Sequence, residues 1–507
     1  MALRDHNPIS LSKFLGLWQR GDPDNTPLDH FADMNNLQTV GDDWKTRDGV
    51  GLHQDVNVPL GSVKRIYNYP TQTANTLLVL VEDPIGTGKI YHVVDADTIF
   101  GPILTIVGMT DFAFIPYAGR AYLSPFGTFT TGELNIQKGL DNEFLYVYLG
   151  AGAAARKAAG DTPAGTLTIA NGAAGNTDPG LHVFGVVGET DSGYLSPPIA
   201  LNTFTTNANL SVSFSTIPVF VGAQWVSKHI VASIVIPSYN GNLEGYQLFF
   251  ITGATIPNAT TVLANVSFFD VELLEDASHL FDNFSEISAG AALSLYHDRL
   301  CLSTTFDDIS IVLISAEGEP EAINQIDGLI IVPLDGNPIT NHQELRDIFY
   351  VFKRSRTVSY VDNGEEPSSW PFTVIDNALG TSVHGIATVL DSGASSVDFL
   401  IVATYAGIHL FNGRYIIPEL STKIKDLWLR QDRNLYRRIQ IMNAPIQKWL
   451  LCVLPDGRIL CGDYANKFDA NNIRWSTWNY DIYINCIGIV NIDEIIIGAD
   501  IPTIPVS

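Results

Sequence analysis

Cysteine and methionine are scarce, four of each in 507 residues, and charged side chains make up only 16% of the chain. Cys301, Cys452, Cys461 and Cys486 form no CxxC pair and no compact framework, so neither a zinc site nor a disulfide scaffold is expected. They read as packing residues. No apolar run approaches the roughly 18–20 residues of a membrane-spanning helix, and Met1–His6 lacks the basic-then-apolar pattern of a secretory signal. The expectation is a soluble product made in a cytoplasm, with no membrane span. Basic residues are also short, 29 against 54 acidic ones, and the net charge of -25 argues against a general surface that wraps duplex nucleic acid or anionic lipid. The sparse charge and 46% apolar content exclude a chain held open by self-repulsion.

What is abundant is glycine and proline, 42 and 26 residues, alongside 10% aromatics, a balance that suits many turns and short strands. Apolar runs of period two recur from Leu77–Val81 through Ile90–Val94, Phe112–Ile115, Phe144–Leu149 and Leu293–Leu302. Two of them read as hairpins with one shared pattern, Tyr-x-x-Arg-x-x-Leu-Ser, at Tyr117 and Tyr296. Weaker echoes place Arg299, Arg356, Ile408 and Arg458 in comparable settings, separated by 57, 52 and 50 residues. That period is close to the roughly 40–50 residues of one four-stranded propeller blade, a sheet that must stack on neighbours to cover both faces.

The expected fold class is all-β: a β-propeller-like body of about six to seven blades interrupted by a sandwich. An interval of 179 residues between Arg120 and Arg299 breaks the period. A small-residue stretch at Gly150–Gly165 opens the interruption and its end falls near Ser285. Inside it, Gly180–Glu189, an Asp-Ser-Gly turn and strands at Leu210–Phe214, Ile230–Ile236 and Tyr246–Ile251 suggest an immunoglobulin or fibronectin type III-like module. The expected organisation is an N-terminal segment over 1–75 docking on the body and neighbours, the first part of the propeller over 76–159, the module over 160–285 and the remainder over 286–507. Helix is expected at 421–438, capped by Ser421 and burying Ile424, Leu427 and Trp428 on one face, with a short amphipathic piece at Ser12–Trp18.

Reactive chemistry is sparse, and no catalytic, metal or cofactor-binding residue is expected. Gly86-Thr-Gly-Lys89 lacks the first glycine and the hydroxyl of a phosphate loop and reads as a hairpin turn. Gly150–Ala155 formally matches a dinucleotide fingerprint, but Pro163 interrupts any crossover helix, which leaves a linker. Asp95 and Asp97 read as a solvated turn, and Asn472–Trp478 as a pair of packing tryptophans. Acidic pairs such as Asp307–Asp308 and Glu365–Glu366 can supply a glycosidase dyad only if folding brings two carboxylates to the right separation.

One local charge anomaly stands out. Between Arg414 and Lys448, eight basic residues face three acidic ones. Three readings are open: a solvated helix face, a docking surface for an acidic neighbour such as another copy of this chain, or contact with DNA. Candidate docking residues are Lys423, Lys425, Arg430, Arg433, Arg437 and Arg438, with Phe14 and Trp18 of the N-terminal piece.

The order of features resembles the tail tube or nozzle proteins of short-tailed bacteriophages, the tail tubular protein B-like group. The residues that carry the likeness are Phe31–Leu37 with Lys45–Val50, the Gly-Tyr-Leu-Ser-Pro exit at Gly193–Pro197, Tyr296–Leu300, and in the final third Phe349–Lys353, Trp370–Gly380, Gly407–Gly413 and Leu420–Ile424. The resemblance implies a non-enzymatic virion component, assembled in the bacterial cytoplasm into a ring of six copies below an adaptor protein. Genome DNA would leave through its channel without specific binding, for which an acidic lumen is suited. The alternative is a virion-surface propeller that binds or cleaves a host glycan receptor.

Overall fold

A computed structural model describes residues 61–71, 74–95, 98–131, 134–160, 162–239, 241–332, 336–389, 399–465, 468–490 and 494–500, together with the backbone of 37–40 and 43–46. Phe14 and Trp18 lie outside the described residues. The chain is all-β and propeller-like, a succession of small antiparallel sheets. We number those of the body I to VII: 62–107, 111–157, 290–331, 339–376, 386–411, 440–478 and 484–499. Sheets I, III, IV and VI have four strands, II has five, V has three and VII is a hairpin. The first four-stranded sheet begins at Ser62, so it includes residues that sequence reasoning assigned to the N-terminal segment.

The first strands begin at Ser62, Asp111, Gly290, Ile339, Ile386, Gln440 and Ile484, in steps of 44 to 54 residues apart from the one interruption. The sequence period was right in length but mixed in phase. Arg120 and Arg299 both open the second strand of their sheets, whereas Arg356, Ile408 and Arg458 stand at the start of a third strand. The step of 57 is therefore one sheet plus one strand.

Successive sheets share apolar layers because both faces of each inner strand are buried. Leu78 and Leu80 of sheet I meet Phe112 and Leu123 of sheet II. Sheets II and III meet through Ala113, Phe126 and Ala291. Tyr296, Cys301, Phe349 and Val351 join III to IV, and Tyr350, Phe352, Leu400 and Val402 join IV to V. Ile401, Leu450 and Cys452 join V to VI, and Leu451, Val453 and Ile487 join VI to VII. The succession then returns on itself: Cys486 and Val490 of sheet VII pack on Leu77, Val79 and Val81, the opposite face of the strand whose Leu78 and Leu80 face sheet II. Period-two alternation thus sends one strand's side chains to two neighbours, each fully buried aliphatic contributing about 1.5–3 kcal/mol. All four cysteines are buried and unpaired within these layers.

The interruption folds as two sheets. One holds Thr168–Ala174, Leu210–Ser215 and Val262–Val266; the other holds Ile199–Thr206, Gly180–Thr190, Trp225–Ala232 and Phe249–Pro257. Its first strand pairs with its fourth, whereas an immunoglobulin sandwich sets the first beside the second. Phe184, Val186, Val212, Phe214 and Ile230 fill the space between the sheets, and this core runs on without a break into Tyr122, Leu145, Val147, Leu300 and Leu302 of the body. The two ends of the module meet, the Gly160 amide donating to the Ser285 carbonyl at 3.0 Å. Among the described residues no helix is long and apolar enough to cross a membrane.

Candidate functional site

The basic stretch does not form one helix. A 3-10 turn at Leu420–Ile424 leads into a single α turn at Lys425–Leu429, and a second 3-10 segment covers Arg433–Arg438. Asp432 divides them, because its extended backbone and its carboxylate, which accepts from the Asn434 amide at 2.9 Å, start a new N-terminus. Ser421, expected as the cap, instead accepts the Ile408 amide at 2.9 Å and ties the turn to sheet V. Ile424, Leu427 and Trp428 are buried as one face, with the Trp428 indole donating to the Thr404 carbonyl at 3.0 Å.

The candidate docking residues divide accordingly. Lys423 is only 5% exposed and donates to the Ile473 carbonyl at 3.2 Å, so it does not belong to an outer surface. Lys425 is held by Glu419 and by the Ala406 carbonyl, both at 2.5 Å. These two lysines fasten the segment to the body. Arg430, Arg433 and Arg438 are exposed and Arg437 is half-buried.

Arg437 and Arg438 open onto a cavity of about 230 Å³ between the starts of the first strands of sheets I, II and VII. Lys64 and Arg65 of sheet I line it too, with Glu82 and Asp111 as its acidic members. Arg438 donates to the Tyr483 hydroxyl at 2.7 Å and lies over that ring, and Arg437 donates to the Asn434 carbonyl at 2.5 Å. Lys64 pairs with Glu82 at 3.3 Å. Behind them, Arg65 grips Asp111 through two bonds of 2.9 and 2.6 Å, and His384 Nε2 donates to the same carboxylate at 2.8 Å. Burial alone would raise the Asp111 carboxyl, but Arg65 and then His384 hold it well below the usual carboxylate range. Burial, reinforced by Arg65, pushes the His384 imidazole down. Arg65, Asp111 and His384 come from positions 46 and 273 residues apart, and no local pattern marks them.

A second polar cluster fixes the module to the body. Glu321, 1% exposed, accepts from Arg156 at 3.1 and 3.2 Å and from the Ala159 amide at 2.5 Å. Arg156 also reaches Asp191 at 2.5 Å, and Arg120 donates to the Asp191 carbonyl at 2.6 Å. The Asp-Ser-Gly turn is thus an anchoring point. Tyr194 of the Gly193–Pro197 exit donates to the Phe284 carbonyl at 2.7 Å, closing the same junction.

The remaining sequence motifs that the structure describes lie in turns, a loop and one outer strand. Gly86 lies in a hairpin turn whose Asp83 carboxylate accepts the Ile85 and Thr87 amides at 3.2 and 2.9 Å. Gly150–Ala155 is a loop after a short strand. Trp475 and Trp478 are buried in the outer strand of sheet VI. Asp307–Asp308 and Glu365–Glu366 occupy turns, and Asp97 lies outside the described residues. Asp95 accepts the Thr98 amide at 2.8 Å, the bond of a turn. His297, Glu344 and Asp347 bring ligand-type atoms within 4.8 Å of one another at two neighbouring turns, a mostly exposed group of a kind common on acidic surfaces.

No family model matches this chain, and no curated protein matches it. Solved structures similar to it include apo AztD from Citrobacter koseri, at 10% identity over 87% of this chain and 98% of that one, with a TM-score of 0.31. BamB from Moraxella catarrhalis is 11% identical over 63% and 92%, with a TM-score of 0.26. Kluyveromyces lactis Hsv2 is 10% identical over 83% and 98%, with a TM-score of 0.27.

Proposed function

We propose that this chain is a structural component of a bacteriophage tail, a seven-bladed propeller with a side sandwich that assembles with copies of itself around the exit path of the genome. The observation that carries the reading is the residue pattern shared with short-tailed phage nozzle and tail-tube proteins. The places of those residues that the structure describes support it, since several of them join parts of the body. Tyr296 is buried between sheets III and IV, donating to the Asp347 carbonyl at 3.1 Å and accepting the Asp362 amide at 3.2 Å. Tyr194 fixes the module as described. The Trp370 indole donates to the Glu365 carbonyl at 2.9 Å, pinning the edge of sheet IV.

In this reading the body is a rigid wall, and the chain's net charge of -25 keeps passing DNA from adhering. Arg430 and Arg433, exposed on the 420–438 segment, meet an acidic neighbour, either the next copy or an adaptor protein. Phe14 and Trp18 supply an apolar second contact. Electron microscopy of the purified protein tests the proposal: rings of six or short tubes are expected. Arg430→Glu with Arg433→Glu should disperse them while the melting temperature stays unchanged. Monomers that cleave a host glycan would replace this reading with that of a receptor-active propeller.

A further inference from the structure

We propose that the cavity beside Arg437 and Arg438 is a binding site for a small multivalent oxyanion of the phosphate class, a role independent of assembly into a tail. Four cationic side chains, Lys64, Arg65, Arg437 and Arg438, line it against two carboxylates, Glu82 and Asp111, in a chain whose overall charge is -25. The carboxylates are already engaged by Lys64 and Arg65. Among the described residues no carboxylate lies within ion-pair distance of Arg437 or Arg438, which donate to a carbonyl and a phenol. Burial and then the adjacent Arg438 depress the Arg437 guanidinium, with Asp432 and Asp500 opposing the repulsion only from beyond ion-pair distance. An anion between them relieves both effects.

The wall contributes a further unmet donor. Arg65 is 4% exposed, and its Nη1 has no hydrogen-bond partner although Nε and Nη2 are taken by Asp111. A buried donor left unpaired is costly, and planar guanidinium forks match phosphate oxygens in pairs. Gln137 and Asn485 also line the space, the Asn485 amide being already engaged by Ser62 and Asp500. Size limits the ligand. At about 230 Å³ the space falls below the roughly 300–1,000 Å³ of sites for drug-sized molecules and is ample for phosphate or pyrophosphate.

Isothermal titration of the full chain with inorganic pyrophosphate in chloride buffer tests this. Saturable one-site binding is expected, weakened by about tenfold or more in Arg437→Gln/Arg438→Gln. Absence of saturable binding to the wild-type chain, or equal affinity in the double variant, overturns the proposal. Should the double variant fail to fold, dicarbonyl labelling of the wild-type protein answers the same question. Protection of Arg437 and Arg438 by pyrophosphate supports the site, and unchanged labelling of both overturns it.

Discussion

Gly139, at the end of the outer arm of sheet II, lies so close to Ala289 that a Cβ on the glycine would stand 1.8 Å from the Ala289 carbonyl oxygen. The neighbour is main chain immediately ahead of the first strand of sheet III, and it cannot rotate away. Sheets II and III therefore approach through a missing side chain. Gly139→Ala should separate them and cost about 3 kcal/mol, the upper part of the usual range for overpacking. Gly119→Ala is the control. It sits in the first hairpin of sheet II at φ +75 with nothing within 4 Å of the added carbon, so backbone strain alone applies, about 1 kcal/mol. Urea unfolding of the two variants should separate them by that margin.

Asp111 neutralises Arg65 and receives His384, all three side chains being largely buried. Asp111→Asn leaves the guanidinium buried without its counter-charge, a change that costs about 3–5 kcal/mol when one partner of a buried pair is removed. Because the folded carboxyl is held below its ordinary value, its contribution is complete above about pH 4, the unfolded carboxyl range, and fades as the pH falls further. The wild-type chain should therefore lose stability on acidification below pH 4 more steeply than Asp111→Asn, as followed by circular dichroism.

His342, in the first strand of sheet IV, is fully buried with its Nδ1 bonded to the Ser294 hydroxyl at 2.5 Å. Burial pushes its imidazole down to about 3. The unfolded chain binds a proton near pH 6.5 that the folded chain refuses, so stability is full above that pH and falls as the pH drops toward the folded value. Between pH 7 and pH 5 the loss from this group is about 2 kcal/mol at most, from about 1.4 kcal/mol per unit. His92, His384 and His409 are shifted the same way and add to the slope. His342→Gln should flatten the difference between urea midpoints at pH 7 and pH 5, and an unchanged difference would show that His342 is protonated in the fold.

The local parts of this fold were legible in the sequence, and the long-range ones were not. Tight turns with Gly, Asp and Arg between period-two apolar runs announced the hairpins at 111–131 and 290–305, because hairpin registry is set by neighbouring residues. The buried tryptophans at 475 and 478 and the interruption after Gly150 were visible for the same reason. Arg65, Asp111 and His384 were not, since sheet stacking alone brings them together. The basic stretch misled in a specific way. Its charge count was correct, but a one-dimensional count cannot tell Lys423, whose stem is buried and whose ammonium caps a carbonyl, from Arg430, which reaches solvent.

The junction between module and body gives the last prediction. Ala159 bridges to Glu286, and the Gly160 amide bonds to Ser285, so residues 160–285 can be excised and the ends joined without stretching the backbone. Independence of the module would then leave an intact body. The shared core argues otherwise. Tyr122, Leu145, Val147, Leu300 and Leu302 form one apolar layer with Phe184, Phe214 and Trp225 of the module. Excision also removes Asp191, leaving Arg120 and Arg156 with less counter-charge around Glu321. A contiguous apolar face of this kind drives association when uncovered. The shortened chain should therefore express as aggregates or melt at a markedly lower temperature. Replacing Leu300 and Leu302, which belong to that shared layer, would not rescue it, because they also support sheet III. A shortened chain that is monodisperse by gel filtration, with the wild-type melting temperature, would show that the layer is divisible after all.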